Sequence, residues 1–418
     1  MKILKVEGGH KLKGTVRISG AKNSAVALIP AAILCDEVVK FSNVPDISDM
    51  NALSDIITYL NGSYKRKEKD IVYIASNEMI NKEIPEKLAS KLRASYYFMG
   101  ALLGKFKKVT ISFPGGCTIG ARPIDLHLKG FESLGATVKE DGDKITIEAN
   151  ELKGTNIYLD FASVGATINI MLAAVKAKGT TIIENAAKEP EIVNVANFLN
   201  LMGAKIYGAG TDTIKIKGVE YLSSCHQQVI PDRIEAATYI MMGAILSEDL
   251  MVENIIPEHL HALFQKLSEM GVDFEVFEDK VHVTNKNKIK STKVRTLVYP
   301  GFPTDMQQII ATLMTQAEGT SIIEETIFEN RFQNLYELQR MGAHIHVEGR
   351  KGYIYGPTKL YGTSITATDL RAAAGLLFAS LIADGETIIN NTDYILRGYE
   401  DIVEKLEKIG AKIKLIEI

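Results

Sequence analysis

The sequence predicts an α/β protein of 418 residues in two domains, each assembled from three copies of a unit roughly 70 residues long. Three observations lead there. A glycine-centred signal recurs as YLNGS at Gly62, SLGAT at Gly135, LMGAK at Gly203, EMGVD at Gly271, RMGAH at Gly342 and KIGAK at Gly410. Ahead of each signal stands a segment that is apolar almost all round. Between the two lies a stretch of helical period that is apolar on one stripe only.

Each unit opens on its all-apolar segment: SAVALIPAAIL, ASYYFMGALLG, GATINIMLAAVKA, EAATYIMMGAIL, MQQIIATLMTQA and RAAAGLLFASLIA. A helix with no polar face has to be buried on every side. A short strand follows, as in TTIIENA or TSIIEET. The second helix, PEHLHALFQKLSEMG in the fourth unit, keeps a polar face for solvent. The glycine then ends it at the C′ position, where a left-handed residue costs least. Two strands close the unit, alternating as in AKIYGAGTDTIKIKG with a turn at Gly208, Ala209 and Gly210.

Three buried helices wrapped by sheets and outer helices make one domain of conventional size, so the units divide three and three. The break falls in HQQVIPDR, where Pro231 interrupts the chain. Residues 22–229 are expected to form the first domain and to carry the Cys117 loop. Residues 230–418 are expected to form the second, with the strand-like residues 1–21 completing one of its sheets. The chain would then cross between domains twice.

The composition is 46% hydrophobic and 24% charged, with a net charge of −3. A nucleic-acid or anionic-membrane binder would need a basic footprint that this balance lacks. The N-terminus has no apolar signal core, and apolar runs such as Ala372 to Ala383 fall short of a membrane span. Cys35, Cys117 and Cys225 are sparse and lack metal-ligand spacing, which fits reduced thiols in the cytoplasm. A monomer without metal or cofactor is the simplest expectation.

Charged and capping residues gather at the starts of the buried helices: Lys22 and Asn23, Arg93, Ser163, Asp232 and Arg233, Asp305, then Asp369 and Arg371. Equivalent positions of a repeated unit fall on one face, so the helix N-termini are expected to line an interdomain cleft suited to phosphates and carboxylates. Ser163, Asp232, Asp305 and Asp369 also suit ordinary capping. Lys22, Arg93 and Arg371 oppose the helix dipole and call for a negative partner, either a carboxylate or a substrate.

The second unit is longer than the others between its first strand and its glycine. The excess falls on PGGCTIGAR, which reads as an insertion into one copy. Functional residues favour such surface insertions, and a nearby Arg122 would favour the Cys117 thiolate. His127, close behind, is a candidate for orienting this loop. His259 and His261 are two residues apart and share no helical face, so they make a poor metal site.

Together these stretches resemble a known family. SGAKNSA at Lys22 and Asn23, LRASYYFMG at Arg93, PGGCTIGARPIDLH across Cys117 and Arg122, and SVGATINIML from Ser163 carry the likeness. PDRIEAATY at Asp232, GFPTDMQ at Asp305, IFENRF at Ile327, DLRAAAG at Arg371 and ILRGYEDI at Arg397 extend it in register along the whole chain. The sequence is similar to the UDP-N-acetylglucosamine 1-carboxyvinyltransferases, enolpyruvyl transferases of peptidoglycan synthesis.

The resemblance implies two inside-out α/β barrel domains and two substrates, phosphoenolpyruvate and UDP-N-acetylglucosamine. By position, Lys22, Arg122 and Arg397 would hold the phosphate and carboxylate of phosphoenolpyruvate, with Arg93 and Arg371 adding charge or gating closure. Asn23, the run Arg122, Pro123, Ile124, Asp125 and Leu126, the turn Ser163, Val164 and Gly165, Asp305 and Ile327 would line the UDP-sugar site. Asp305 would be the base. Cys117 would protonate the methylene carbon or form a covalent adduct, and would be the target of fosfomycin. Some relatives carry a lysine where this chain has Phe161 and Ala162, which leaves Ser163 and backbone amides to meet the diphosphate.

Two other readings remain at this stage. The 5-enolpyruvylshikimate-3-phosphate synthases share the fold and the group transferred, but the PGGC loop and RPIDLH match the UDP-sugar family. A six-repeat DNA clamp would need basic helices lining its ring, whereas these helices are apolar all round.

Overall fold

A computed structural model describes residues 2–113 and 123–417 of the protein. The PGGC insertion, with Cys117 and Arg122, lies outside the described residues. The chain forms two compact units, one from residues 20–113 and 123–230, the other from residues 2–19 and 231–417. Both are mixed α/β. No helix among the described residues is long and apolar enough to cross a membrane.

In the unit of residues 20–230, the helices Lys22–Ala32, Tyr97–Phe106 and Val164–Ala174 are buried almost throughout. Side chains such as Leu28, Ile29 and Phe98 are fully enclosed, each worth about 2 kcal/mol of apolar burial. The last two helices meet nearly backbone to backbone. A Cβ on Gly100 would lie 2.3 Å from the Asn169 carbonyl oxygen. The unit of residues 231–417 is built the same way on Arg233–Leu246, Gln307–Met314 and Leu370–Ile382. There Gly375 provides the close approach, and Thr312 Oγ1 donates to its carbonyl at 2.9 Å.

Four of the six sheets among the described residues follow one plan, and the sheet of Lys108–Ser112, Thr137–Asp141 and Lys144–Glu148 has no leading strand. In the third copy, strand Asn156–Tyr158 leads into the buried helix, and Thr180–Glu184 returns parallel to it with Ile183 beside Ile157. The amphipathic helix Pro190–Leu201 follows, and Lys205–Tyr207 and Thr213–Lys217 close the sheet antiparallel. Two leading strands break the plan. Leu12–Arg17 pairs with Ser247–Glu253, and His226–Gln228 pairs with Val39–Ser42, so each leads into a helix of the other unit. Lys2–Glu7 sits between Glu386–Asn390 and Lys412–Glu417. At the end of this N-terminal segment the Ser19 N–H donates to buried Glu235, which also takes Lys405 at 2.6 Å.

Five of the signal glycines are left-handed: Gly135, Gly203, Gly271, Gly342 and Gly410, with φ between 77° and 103°. The first copy departs from expectation. There Asn61 is left-handed, at φ 65°, and Gly62 is not. Asparagine tolerates that region, and the Asn61 side chain donates to the Glu78 carbonyl at 2.9 Å. Gly62 answers a packing need instead, because a Cβ there would fall 2.7 Å from Met79 Cε.

A second left-handed set marks the end of the strand after a buried helix. Asn43, Asn185, Asn254 and Asn391 have φ between 54° and 60°. Each sends its side-chain amide to a carbonyl just past the parallel leading strand: Val229, Leu159, Ile18 and Ala367 in turn. The asparagine thus turns the chain and staples two strands with one side chain.

Candidate active site

Lys22 is the first residue of its helix, where its charge opposes the dipole. Its Nζ lies 2.9 Å from Oδ2 of Asp49, a buried residue in the first turn of helix Ser48–Tyr59. A carboxylate therefore compensates Lys22. Asn23 follows it in the same helical turn and is half-buried.

Arg93 opens a 3-10 turn, Arg93–Tyr96, that runs into the buried helix. Beside it stands His127, in the first turn of helix Asp125–Ser133 and buried. The hydrogen bonds assign its tautomer. The Gly100 N–H can only donate, and it reaches Asn169 Oδ1 at 2.8 Å, which fixes the amide orientation. Asn169 Nδ2 must then donate, to the Tyr96 carbonyl at 3.0 Å and to His127 Nδ1 at 2.8 Å. The imidazole proton therefore sits on Nε2. Burial, aided by the charge of Arg93, pushes His127 down to about 3, so the ring is neutral.

The other side of that ring faces the turn at Ser163, Val164 and Gly165. A Cβ on Gly165 would lie 2.9 Å from His127 Cε1 and 3.0 Å from the Tyr96 hydroxyl, so only glycine fits. Ser163 caps the helix, its Oγ accepting from the Ala166 N–H at 3.3 Å. His127 thus buttresses the start of helix Val164–Ala174, whose first amides lack partners within the helix. Pro123 and Asp125 are exposed, Ile124 is buried and Leu126 half-buried at the start of the adjoining helix. Phe161, two residues before Ser163, is exposed.

In the unit of residues 231–417 the charges form a network around Asp305. Its Oδ1 takes Arg331 Nη2 at 2.8 Å and its Oδ2 takes Arg371 Nη2 at 3.1 Å. Both arginine side chains are almost fully enclosed, while the carboxylate keeps 27% exposure. Asp305 therefore does not cap its helix. Asp232 and Asp369 do, each accepting two backbone N–H groups through Oδ1. Burial alone would lower Arg371; the Asp305 charge and the Tyr399 oxygen outweigh it and hold the group above its ordinary range, a permanent cation. Tyr399 is itself anchored by Thr238 at 2.9 Å.

Arg397 ends the short helix Asp393–Leu396 and is half-buried. The next residue, Gly398, packs against Leu370, so this segment rests on the start of the helix carrying Arg371. Ile327 lies in the loop after strand Gly319–Glu324, its N–H bonded to Glu325 Oε1 at 2.9 Å. Arg331 and Glu325 escaped the sequence reading as site residues. Arg331 lay in plain view in IFENRF, but its link to Asp305 is a tertiary contact.

Comparison with known proteins places the whole chain in one family. The family model described as EPSP synthase (3-phosphoshikimate 1-carboxyvinyltransferase) matches residues 6–406. The chain is 53% identical to UDP-N-acetylglucosamine 1-carboxyvinyltransferase 2 of Listeria monocytogenes over 408 residues, 98% of this chain and 96% of the relative. It is also 53% identical to the protein of that name from Geobacillus kaustophilus over 410 residues, with the same coverage. Among solved structures it superimposes on the enolpyruvyl transferase NikO from Streptomyces tendae with a TM-score of 0.91, at 28% identity and 99% of both chains. EPSP synthase of Acinetobacter baumannii shares the fold, with a TM-score of 0.78 at 18% identity over the full length of both chains.

Proposed function

The chain belongs to the enolpyruvyl transferase family, and from that membership we propose that it transfers the enolpyruvyl group of phosphoenolpyruvate to the 3′-hydroxyl of UDP-N-acetylglucosamine, releasing phosphate. The observation that carries the reading is whole-length identity of about half to relatives named for that reaction. The substrates would engage groups from residues 22–229 and from residues 230–418.

In this reading Lys22, Arg122 and Arg397 bind the phosphate and carboxylate of phosphoenolpyruvate, with Arg93 and Arg371 adding positive charge. Asn23, residues Arg122 to Leu126, Ser163 to Gly165, Asp305 and Ile327 receive the UDP-sugar. The start of helix Val164–Ala174, at the positive end of its dipole, suits its diphosphate.

Asp305 accepts the proton of the 3′-hydroxyl as that oxygen bonds to C2 of phosphoenolpyruvate. The C2–C3 π electrons take up a proton at C3, supplied by Cys117 in its acid role, and a tetrahedral adduct results. Loss of phosphate from C2 and of a proton from C3 restores the double bond. Fixed cations and helix N-termini stabilise the charge that develops. A thiolate has no proton to give, so a strongly acidic Cys117 would serve better as the nucleophile of a covalent adduct. Both substrates are cytoplasmic metabolites, and we place a monomeric enzyme there, at the entry to cell-wall synthesis.

The family model carries the name of the shikimate enzyme, so that acceptor is the second reading. Phosphate release measured with UDP-N-acetylglucosamine and, separately, with shikimate 3-phosphate decides between them. Turnover with the UDP-sugar is expected; turnover only with shikimate 3-phosphate would overturn the proposal.

A further inference from the structure

In the fifth copy of the repeat the stapling asparagine is replaced by Glu325, which is 1% exposed. The backbone there is not left-handed, and the carbonyl just past the leading strand, that of Thr296, takes the Thr326 hydroxyl in place of an asparagine amide. Instead the carboxylate collects donors. Oε1 accepts from Thr296 Oγ1 at 2.9 Å and from the Ile327 and Phe328 N–H groups at 2.9 and 3.2 Å. Oε2 accepts from Thr304 Oγ1 at 2.8 Å.

Thr304 links Glu325 to Arg331. Its hydroxyl has one proton, and that proton goes to Glu325. Its oxygen is then left to accept from Arg331 Nη1, which lies 2.7 Å away. The other terminal nitrogen of the same guanidinium holds Asp305 Oδ1 at 2.8 Å. Stacking of Arg331 over the Phe328 ring, 4.9 Å from its centroid, completes the clamp, and Phe328 is itself tethered by Glu325. An asparagine in the stapling geometry would supply a donor where this relay needs an acceptor.

We propose that Glu325 is a positioning residue for the transfer reaction, fixing Asp305 through Thr304 and Arg331 while tethering the Ile327 loop on its other oxygen. The proposal rests on the reading of Asp305 as the proton acceptor. A repeat position that staples strands in four of the other copies has here become the support of the reacting carboxylate.

Glu325→Gln tests this. The glutamine oxygen can still serve Thr296, Ile327 and Phe328, but its NH2 donates toward Thr304, so the hydroxyl proton loses its acceptor. We expect kcat to fall about 10- to 100-fold, with KM for the acceptor nearly unchanged and the acid limb of the pH–rate profile displaced. Thr304→Val should produce a similar loss and Thr304→Ser should restore activity. The Glu325→Gln/Thr304→Val double variant should be no worse than the poorer single one, because both cut one chain. Additive losses, or full activity in Thr304→Val, would overturn the proposal. Should Glu325→Gln melt far below the wild type, the Thr304 pair decides alone. Whichever acceptor the wild type uses, the coupling can be read on it, so failure of the UDP-sugar reading remains distinct.

Discussion

Asn169 donates from Nδ2 to Nδ1 of His127 across 2.8 Å, and the bond leaves the ring neutral with its proton on Nε2. The pair ties the start of helix Asp125–Ser133 to the middle of helix Val164–Ala174. A buttress of this kind has to stay uncharged, since a buried imidazolium beside Arg93 would have no counter-charge from the amide that faces it.

That requirement gives stability a pH dependence. The folded group sits at about 3, against an ordinary value of 6.5. Between these values the unfolded chain binds a proton that the folded chain refuses, so stability is lost as pH falls from 6.5 toward 3 and is untouched above about 7.5. At pH 4.5 the loss is about 2–3 kcal/mol. His127→Gln removes the titration. In urea unfolding at pH 7.5 and 4.5, the wild type should lose that much more stability on acidification than the variant. Equal losses would show that the ring is not held neutral.

Asp305 is expected to matter for folding as well as for chemistry. If Asp305 served only as a base, Asp305→Ala would fold normally and lose turnover. The structure changes the first half, because the alanine leaves two enclosed guanidinium groups facing one site without their carboxylate. Removing one partner of such a network costs about 3 kcal/mol, somewhat less here because the carboxylate is partly exposed. Asp305→Asn, which still accepts through Oδ1, should retain more stability. Both should abolish phosphate release. Calorimetric melting separates the two effects, and an Asp305→Ala protein as stable as the wild type would show that Asp305 does not hold the arginines.

How far the sequence foretold the molecule follows from how local each cause is. The buried helices were legible because a helix lacking a polar face has one place to go. The caps Ser163, Asp232 and Asp369 were legible because their hydrogen bonds close within three residues. Gly62 misled, since glycine signals either a left-handed turn or tight packing, and only the neighbouring Met79 separates the two. The partners of Lys22 and Arg371 were foreseen as a class, a carboxylate or a substrate. That they are Asp49 and Asp305 depends on contacts far apart in sequence. Glu325 did leave a trace, as the acidic residue at a position where four copies carry asparagine. Its meaning needed Thr304 and Arg331 beside it.

The thiols give the most direct test of the proposed chemistry. Thiolates, not thiols, open an epoxide such as fosfomycin. Cys35 is wholly buried, its Sγ accepts the Glu37 N–H at 3.3 Å, and burial pushes its thiol up. Cys225 is half-buried, and burial pushes it up to about 11. At pH 8 only about one Cys225 in a thousand is a thiolate. Fosfomycin should therefore add once, at Cys117, as read by peptide mass mapping of the folded protein. Cys117→Ala should remain unlabelled at that pH. Raising the pH should make residual labelling of Cys225 in that variant climb about tenfold per unit until near 11, as expected of a thiol held protonated by burial. An adduct on Cys35 or Cys225 in the wild type at pH 8, with Cys117 untouched, would remove Cys117 from the role of reactive thiol.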